Sequence, residues 1–390
     1  MGPFASQKTN ATTMDKLRGM ANIKIPANLL PQDGRFGCGP SKVRSAQLEN
    51  FLTKGAALLG TSHRQLPVKN LVGDIRSGLM GLFRAPAGYE IILGNGGSTA
   101  FWDAAAFGLA ENKAQALVHG EFGSKFASAL TTPWLQAPSI QKAEPGSRSA
   151  LTAEAGVDLY VYPQNETSTG VVAPVRRTAG VDSGALHLTD ATSAAGGIDF
   201  DAHETDVYYF APQKNFASDG GLWLALVSPA AIERIEKIAE SDRYIPEFLS
   251  LKAALDNSRL NQTLNTPSIA TLFMLEDQVG WINQSGGLKW ADARTKESSD
   301  LLYDWAQASS VANAFVENPE HRSQVVVTID FAESIDASVI SKTLRDNGVV
   351  DVEPYRKLGK NQLRVATFVS VEPSDIQALL ASIDYVLGEM

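Results

Sequence analysis

Cysteine is nearly missing from this 390-residue chain: the only thiol is Cys38. One thiol excludes an intrachain disulfide and a thiolate zinc cluster, and it suits a reducing compartment such as the cytoplasm. Positive charge is also scarce, with 34 Lys and Arg against 43 Asp and Glu and a net charge of -9. Clustered cations are what bind phosphate backbones, so this balance argues against a nucleic-acid partner. A small anionic ligand remains open to a few local arginines. No apolar run approaches the ~20 residues that span a bilayer, so no membrane partner is expected. The polar opening segment MGPFASQKTNATTMDKL has no signal-peptide stretch, and residues 1–20 are expected to form a poorly ordered tail. His119, His187, His203 and His321 show neither HExxH nor any other metal-ligand spacing, so no metal is expected. There is no GxSxG nucleophile elbow, no internal repeat and no low-complexity segment.

What is present is an ordinary globular composition, 44% hydrophobic and 20% charged. Its length exceeds the roughly 250–300 residues at which one core stops growing, so two domains are expected. Between residues 89 and 227, short apolar runs alternate with helical patterns. Residues 89–93 (YEIIL), 116–118, 158–162 (DLYVY), 185–188 (ALHL), 207–210 (VYYF) and 222–227 (LWLALV) read as strands. Continuous apolar strands spaced by helices predict an α/β fold with a mainly parallel central sheet covered on both faces. Residues 324–331 and 363–368 read as strands and 337–346 and 374–387 as helices of a smaller α+β unit. The expected large domain is 21–285, its first residues able to pack on the small one, and the small domain is 286–390, after the NQSGG turn signal.

Three features carry chemistry. Gly94-Asn95-Gly96-Gly97-Ser98-Thr99 lies between a strand and a helix, where glycines let backbone amides approach an anion and the helix N-terminus adds partial positive charge. Ser98 and Thr99 are placed to cap that helix or to donate hydroxyls to a phosphate. A plain strand-to-helix turn reads the same way. Gly55 to Ser62 has P-loop spacing but lacks its lysine. Asp190 follows the run ALHLT at the carboxyl end of a central strand, the edge where parallel sheets bind ligands. A turn or helix-capping aspartate is its bland reading. Lys214 follows VYYFAPQ at the end of the next strand, whereas most lysines are simply solvated. Together the three suit one ring that has a phosphate arm, an aldehyde and a basic nitrogen. Phe122 stands where an aromatic stacks on that ring, and Thr167 where a hydroxyl meets its oxygen.

The segments Ala211-Pro212-Gln213-Lys214-Asn215, Asn165-Glu166-Thr167 and Asn265-Thr266-Pro267 resemble the phosphoserine aminotransferases, of the fold-type I enzymes that use pyridoxal 5′-phosphate (PLP). The likeness runs from Phe36-Gly37-Cys38-Gly39-Pro40 through Ser62-His63-Arg64 to Leu363-Arg364, nearly the whole chain. It implies that Lys214 links covalently to PLP and that Asp190 pairs with the pyridine nitrogen. Gln213 and Thr167 would contact the ring oxygen, Phe122 would stack, and Ser98 and Thr99 would bind the phosphate. Asn265 and Thr266 would reach the phosphate of a neighbouring subunit, making a homodimer part of the site. Arg364 would grip the substrate α-carboxylate, and His63 and Arg64 its distal anion. Many members carry tryptophan where Phe122 stands and arginine where Thr99 stands. Their Gly-His-Arg segment is replaced here around Tyr355-Arg356-Lys357, so Arg356, Lys357 or Lys360 would supply that charge. The implied reaction is ping-pong transfer from L-glutamate to 3-phosphohydroxypyruvate, giving phosphoserine, with 3-hydroxy-2-oxo-4-phosphobutanoate as a further acceptor on the way to pyridoxine. Competing readings are a small-amino-acid (alanine or serine):glyoxylate aminotransferase and a dinucleotide-binding protein using Gly94–Thr99, with Glu121 as its ribose acid.

Overall fold

The computed structural model describes residues 23–390; the tail expected over 1–20 lies outside the described residues. A seven-stranded sheet organises the larger part. Its strands are β1 (Glu90–Asn95), β2 (Ala114–Val118), β3 (Ser139–Lys142), β4 (Leu159–Pro163), β7 (Leu186–Asp190), β8 (Val207–Phe210) and β9 (Leu222–Val227), in the order β1-β9-β8-β7-β4-β2-β3. β5 (Asn165–Glu166) and β6 (Val171–Val172) form a separate two-stranded ribbon. Four pairings of the large sheet are parallel, and β9 runs antiparallel to both β8 and β1. The apolar run of β9 could not reveal its direction, because burial on both faces makes any strand continuously apolar.

Alternate residues divide between two cores. Ile91, Leu93, Tyr208, Phe210, Leu222 and Leu224 face one cluster, whereas Ile92, Val207, Tyr209, Trp223 and Ala225 face the other. Helices α2 (Leu66–Leu82) and α7 (Ile269–Ser285) cover the first face. Helices α3 (Gly97–Gly108), α4 (Glu121–Ala129), α5 (Pro229–Ala239) and α6 (Leu251–Arg259) cover the second, and α1 (Ser45–Asn50) is a short piece before α2. The side-chain period of two along each strand produces this split.

A second sheet has the antiparallel order β10-β11-β12, from β10 (Ala312–Ala314), β11 (Val326–Phe331) and β12 (Gln362–Ala366). Val327, Ile329, Leu363 and Val365 point from it into a third cluster with α9 (Ala337–Asp346) and α10 (Pro373–Glu389). Ile25 and Phe36 join that cluster. The long α8 (Gly287–Ala308) starts at the Gly286–Gly287 turn, gives Leu288 and Ala291 to the first core, and gives Leu302 and Ala306 to the third. The opposite face of the small sheet meets the large part: Thr328 donates to the Thr169 carbonyl (2.9 Å) and Ser323 N to Gly170 (3.0 Å). No helix among the described residues is long and apolar enough to cross a membrane.

Candidate active site

The carboxyl ends of β1, β2, β4, β7 and β8 open on one edge of the large sheet, where chain exits leave room for a ligand. A cavity of about 290 Å³ lies there, lined among others by Ser98, Thr99, Phe122, Thr167, Asp190, Gln213 and Lys214. Seven positions chosen from sequence therefore share one space.

β1 delivers the first wall. Gly96 and Gly97 adopt φ of 110° and 71°, which favours glycine, and bend the chain directly into α3. The expected side-chain cap is absent: Gly96 is the N-cap, and Ser98 and Thr99 already belong to the first helical turn. That leaves the Ser98 hydroxyl turned to Thr192 Oγ1 at 2.7 Å, over the cavity, with the amides of the first turn of α3 nearby.

β7 ends on Asp190. One carboxylate oxygen accepts the Thr192 amide (2.9 Å), so the turn role is real, but Asp190 also lines the cavity and forms no ion pair among the described residues. Burial pushes its pKa up, opposed by hydrogen bonding from Tyr209 and Thr192. A positive partner entering the cavity would offset that burial. Trp102 and Thr192 also line the site, and Trp102 Nε1 donates to the Tyr209 hydroxyl at 2.7 Å. The sequence reading missed both residues, since a tryptophan in an apolar helix and a threonine after a strand carry no distinctive spacing.

Lys214 lies four residues beyond β8 and is 9% exposed. Its Nζ donates to the Cys38 carbonyl at 2.5 Å, and burial chiefly lowers its pKa to about 8. That raises its neutral fraction near neutrality well above an ordinary lysine's, which favours it as a nucleophile. On the adjoining wall, Thr167 Oγ1 and Asn165 Nδ2 each donate to Ser193 Oγ at 2.8 Å. Asn165 Oδ1 and Gln213 Oε1 are buried without a partner. Orphaned acceptors of this kind call for a ligand or water.

The remaining residues fall elsewhere. Arg364, on β12, donates to the Thr167 carbonyl (3.0 Å) and lies over the Tyr355 ring (5.4 Å), with Nε buried and unpartnered. Tyr355 in turn meets Phe122 at 5.9 Å. His63 is buried with Nε2 unpartnered, and burial lowers its pKa. Arg64 donates to Gln262 (2.7 Å), tying that loop to the one carrying Asn265 and Thr266, both exposed and outside the cavity. Of the three basic residues after Tyr355, Lys357 pairs with Glu121 and Lys360 lies over Phe315, whereas Arg356 is exposed with no ion-pair partner among the described residues. The dinucleotide alternative is overturned: β1 is an edge strand rather than a central one, and Glu121 is engaged by Lys357 and Lys125.

Comparison with known proteins agrees with this geometry. The model of the aminotransferase class-V family matches residues 40–352. A phosphoserine aminotransferase of Nocardioides sp. is 56% identical over 370 residues, 94% of this chain and 99% of that protein. One from Rhodococcus opacus is 56% identical over 367 residues, covering 94% and 98%. Among solved structures, a phosphoserine aminotransferase from Cytophaga hutchinsonii superposes with a TM-score of 0.83 at 21% identity, covering 90% of this chain and 99% of that one. A pyridoxamine-pyruvate aminotransferase from Mesorhizobium loti reaches 0.78 at 16% identity, covering 94% of each. Shape alone therefore defines the fold and not the substrate.

Proposed function

The chain belongs to the class-V aminotransferases and, within them, to the phosphoserine aminotransferases, and on that premise we propose that it transfers an amino group between L-glutamate and 3-phosphohydroxypyruvate to give O-phospho-L-serine, with PLP bound at Lys214. The observation that carries this reading is the single buried cavity shared by the Lys214 amine, the Asp190 carboxylate and the Ser98 hydroxyl.

The residues present fit the cofactor. Asp190 would hold a protonated ring nitrogen, which answers its unpaired burial. Gln213 and Thr167 would meet the ring oxygen, beside acceptors that now lack partners. Phe122 would close one face of the ring. The Ser98 and Thr99 hydroxyls and the amides at the start of α3 would cradle the phosphate. Bound there, PLP supplies an electron sink for charge developing at the substrate Cα. Lys214, its pKa lowered toward neutrality so that neutral amine is accessible, would be the base that takes the Cα proton and returns it. Arg364 binds the α-carboxylate through its two-pronged guanidinium, while its contact with the Thr167 carbonyl holds it in register with the ring. Arg356 is the free cation of its turn and, with His63 and Arg64, is assigned to the distal phosphate or γ-carboxylate. Asn265 and Thr266 are exposed and would complete the phosphate site of a second copy, in a homodimer. A second acceptor, 3-hydroxy-2-oxo-4-phosphobutanoate, offers the same two anionic ends, and the whole reading suits a cytoplasmic enzyme.

A coupled assay with 2-oxoglutarate as acceptor tests the substrate. Phosphoserine should exceed serine, alanine and aspartate by about 100-fold or more in kcat/KM, a difference of roughly 2.7 kcal/mol at the transition state. Equal turnover of alanine would replace this reading with a small-amino-acid aminotransferase. Lys214→Ala should lose both turnover and the visible absorbance of the linked cofactor.

A further inference from the structure

The reading above gives Lys214 two conditions, linked to the cofactor and free, and the free amine must sit somewhere inside a buried site. We propose that the Cys38–Gly39 peptide is the positioning element for that free amine: the Cys38 carbonyl accepts one of its protons, and the missing side chain of Gly39 leaves it room. This inference rests on Lys214 being the cofactor lysine, and adds what holds it between covalent engagements.

The contact is close and leaves little slack. Lys214 Nζ lies 2.5 Å from the Cys38 oxygen. A Cβ built on Gly39 would fall 1.7 Å from Nζ, 2.7 Å from Cε and 3.1 Å from Cδ, so the whole end of the lysine lies against that glycine. Gly39 also has φ of 141°, a conformation that side-chain-bearing residues rarely adopt. A side chain here would strain the backbone and push the flexible end of the lysine aside.

The turn is held from several sides, which makes it a fixed reference point. Ser41 N donates to the carbonyl of Gln213, the residue just before Lys214, at 2.7 Å. Ser41 Oγ and Ser370 Oγ are 2.9 Å apart. Upstream, Phe36 pairs through its backbone with Val350 (3.2 Å) and Ala366 (3.0 Å). The acceptor is thus tied both to the β8 exit carrying the lysine and to the small sheet carrying Arg364.

A geometric consequence follows from amine valence. A neutral amine has two protons and one lone pair. With one proton on the Cys38 oxygen, the second proton and the lone pair remain, and the lone pair is free to face the cavity that Asp190, Thr167 and Phe122 line. A carbonyl accepts equally from the ammonium form, so the amine keeps its place whichever protonation state it holds. Orientation of this kind is worth orders of magnitude in rate when a base must face one particular atom.

Gly39→Ala tests the proposal, read through binding and capture rather than turnover. Cofactor-free wild-type and variant proteins are each mixed with PLP, and growth of visible absorbance reports covalent capture by Lys214. In parallel each is titrated with pyridoxamine 5′-phosphate, which fills the same cavity without a covalent bond. The expected result is capture slowed by roughly 100-fold, the cost of about 1 Å of misplacement, with pyridoxamine 5′-phosphate affinity changed by less than about threefold. Equal capture rates in variant and wild type would overturn the proposal and leave the cofactor reading standing. No capture by the wild type would overturn the cofactor reading itself. Should Gly39→Ala lose its native circular dichroism, the crystal structure of the wild type with pyridoxamine 5′-phosphate decides. Nζ within hydrogen-bond reach of the Cys38 oxygen supports the proposal, and a separation beyond about 3.5 Å sinks it.

Discussion

Two buried ionisable groups set the chemistry at the residue scale. Asp190 has its carboxyl pKa raised by burial, with hydrogen bonds from Tyr209 and Thr192 opposing. Its useful form is the anion, which a cationic ring nitrogen would stabilise. Asp190→Asn keeps the shape but removes that charge, and should lower kcat/KM by about 100-fold or more with little change in fold; equal activity would remove Asp190 from the cofactor site. Lys214 shows the opposite displacement, to about 8 from an ordinary 10.5. Below pH 8 the cofactor-free protein therefore carries the full cost of a buried ammonium, about 3 kcal/mol. Between the folded and unfolded values the unfolded chain binds more protons, so that cost fades as pH rises toward 10.5. Cofactor-free Lys214→Met should accordingly be more stable to urea than wild type at pH 7, with the gap narrowing by pH 10. A gap that does not change with pH would show that the amine titrates as an ordinary lysine.

At the scale of elements, the site depends on how α4 is hung from the ribbon beside it. Glu166 is fully buried, and its carboxylate accepts from Phe122 N (3.3 Å), Gly123 N (3.0 Å), Ser168 N (3.2 Å) and Ser168 Oγ (2.6 Å). Ser168 Oγ also accepts from Glu121 N at 3.0 Å. One carboxylate therefore satisfies amides at the start of α4 and anchors Phe122, which lines the cavity together with Thr167. Gly120 makes the approach possible, since a Cβ there would lie 2.4 Å from Ser168 Oγ. Glu166→Ala should leave buried amides without acceptors and cost about 2–3 kcal/mol in urea unfolding. It should also weaken pyridoxamine 5′-phosphate binding, because Phe122 loses its anchor. A stability loss with unchanged binding would show that Phe122 does not cover the ring.

The whole molecule brings the small sheet over the cofactor edge. Arg364 reaches Thr167, Thr328 reaches Thr169, and Tyr355 reaches Phe122, so the small sheet packs against two residues that line the cavity, Thr167 and Phe122. Asn265, Thr266 and Arg64 lie on linked loops away from that cavity. If those loops serve a second copy, two separately inactive variants should complement each other. Lys214→Ala mixed in equal amount with Thr266→Asp should regain about one quarter of wild-type activity on subunit exchange, as half the dimers form with one whole site each. No recovery after exchange, shown by mass spectrometry, would mean that each chain completes its own site.

Local chemistry was legible in the amino-acid order by itself. The runs around Val207–Phe210 and Leu222–Val227 marked strands because both faces of their sheet are buried, and glycines with Ser98 marked a strand-to-helix turn. Lys214 and Asp190 stood out because charge beside an apolar run needs a reason. Only the folded chain decided the antiparallel course of β9, the cavity roles of Trp102 and Thr192, and the choice of Arg356 as the unengaged cation near Tyr355. The physical reason is common to all three. Side-chain period and polarity report whether a residue is buried, whereas strand direction, hydrogen-bond partners and ion pairing depend on neighbours tens or hundreds of residues away.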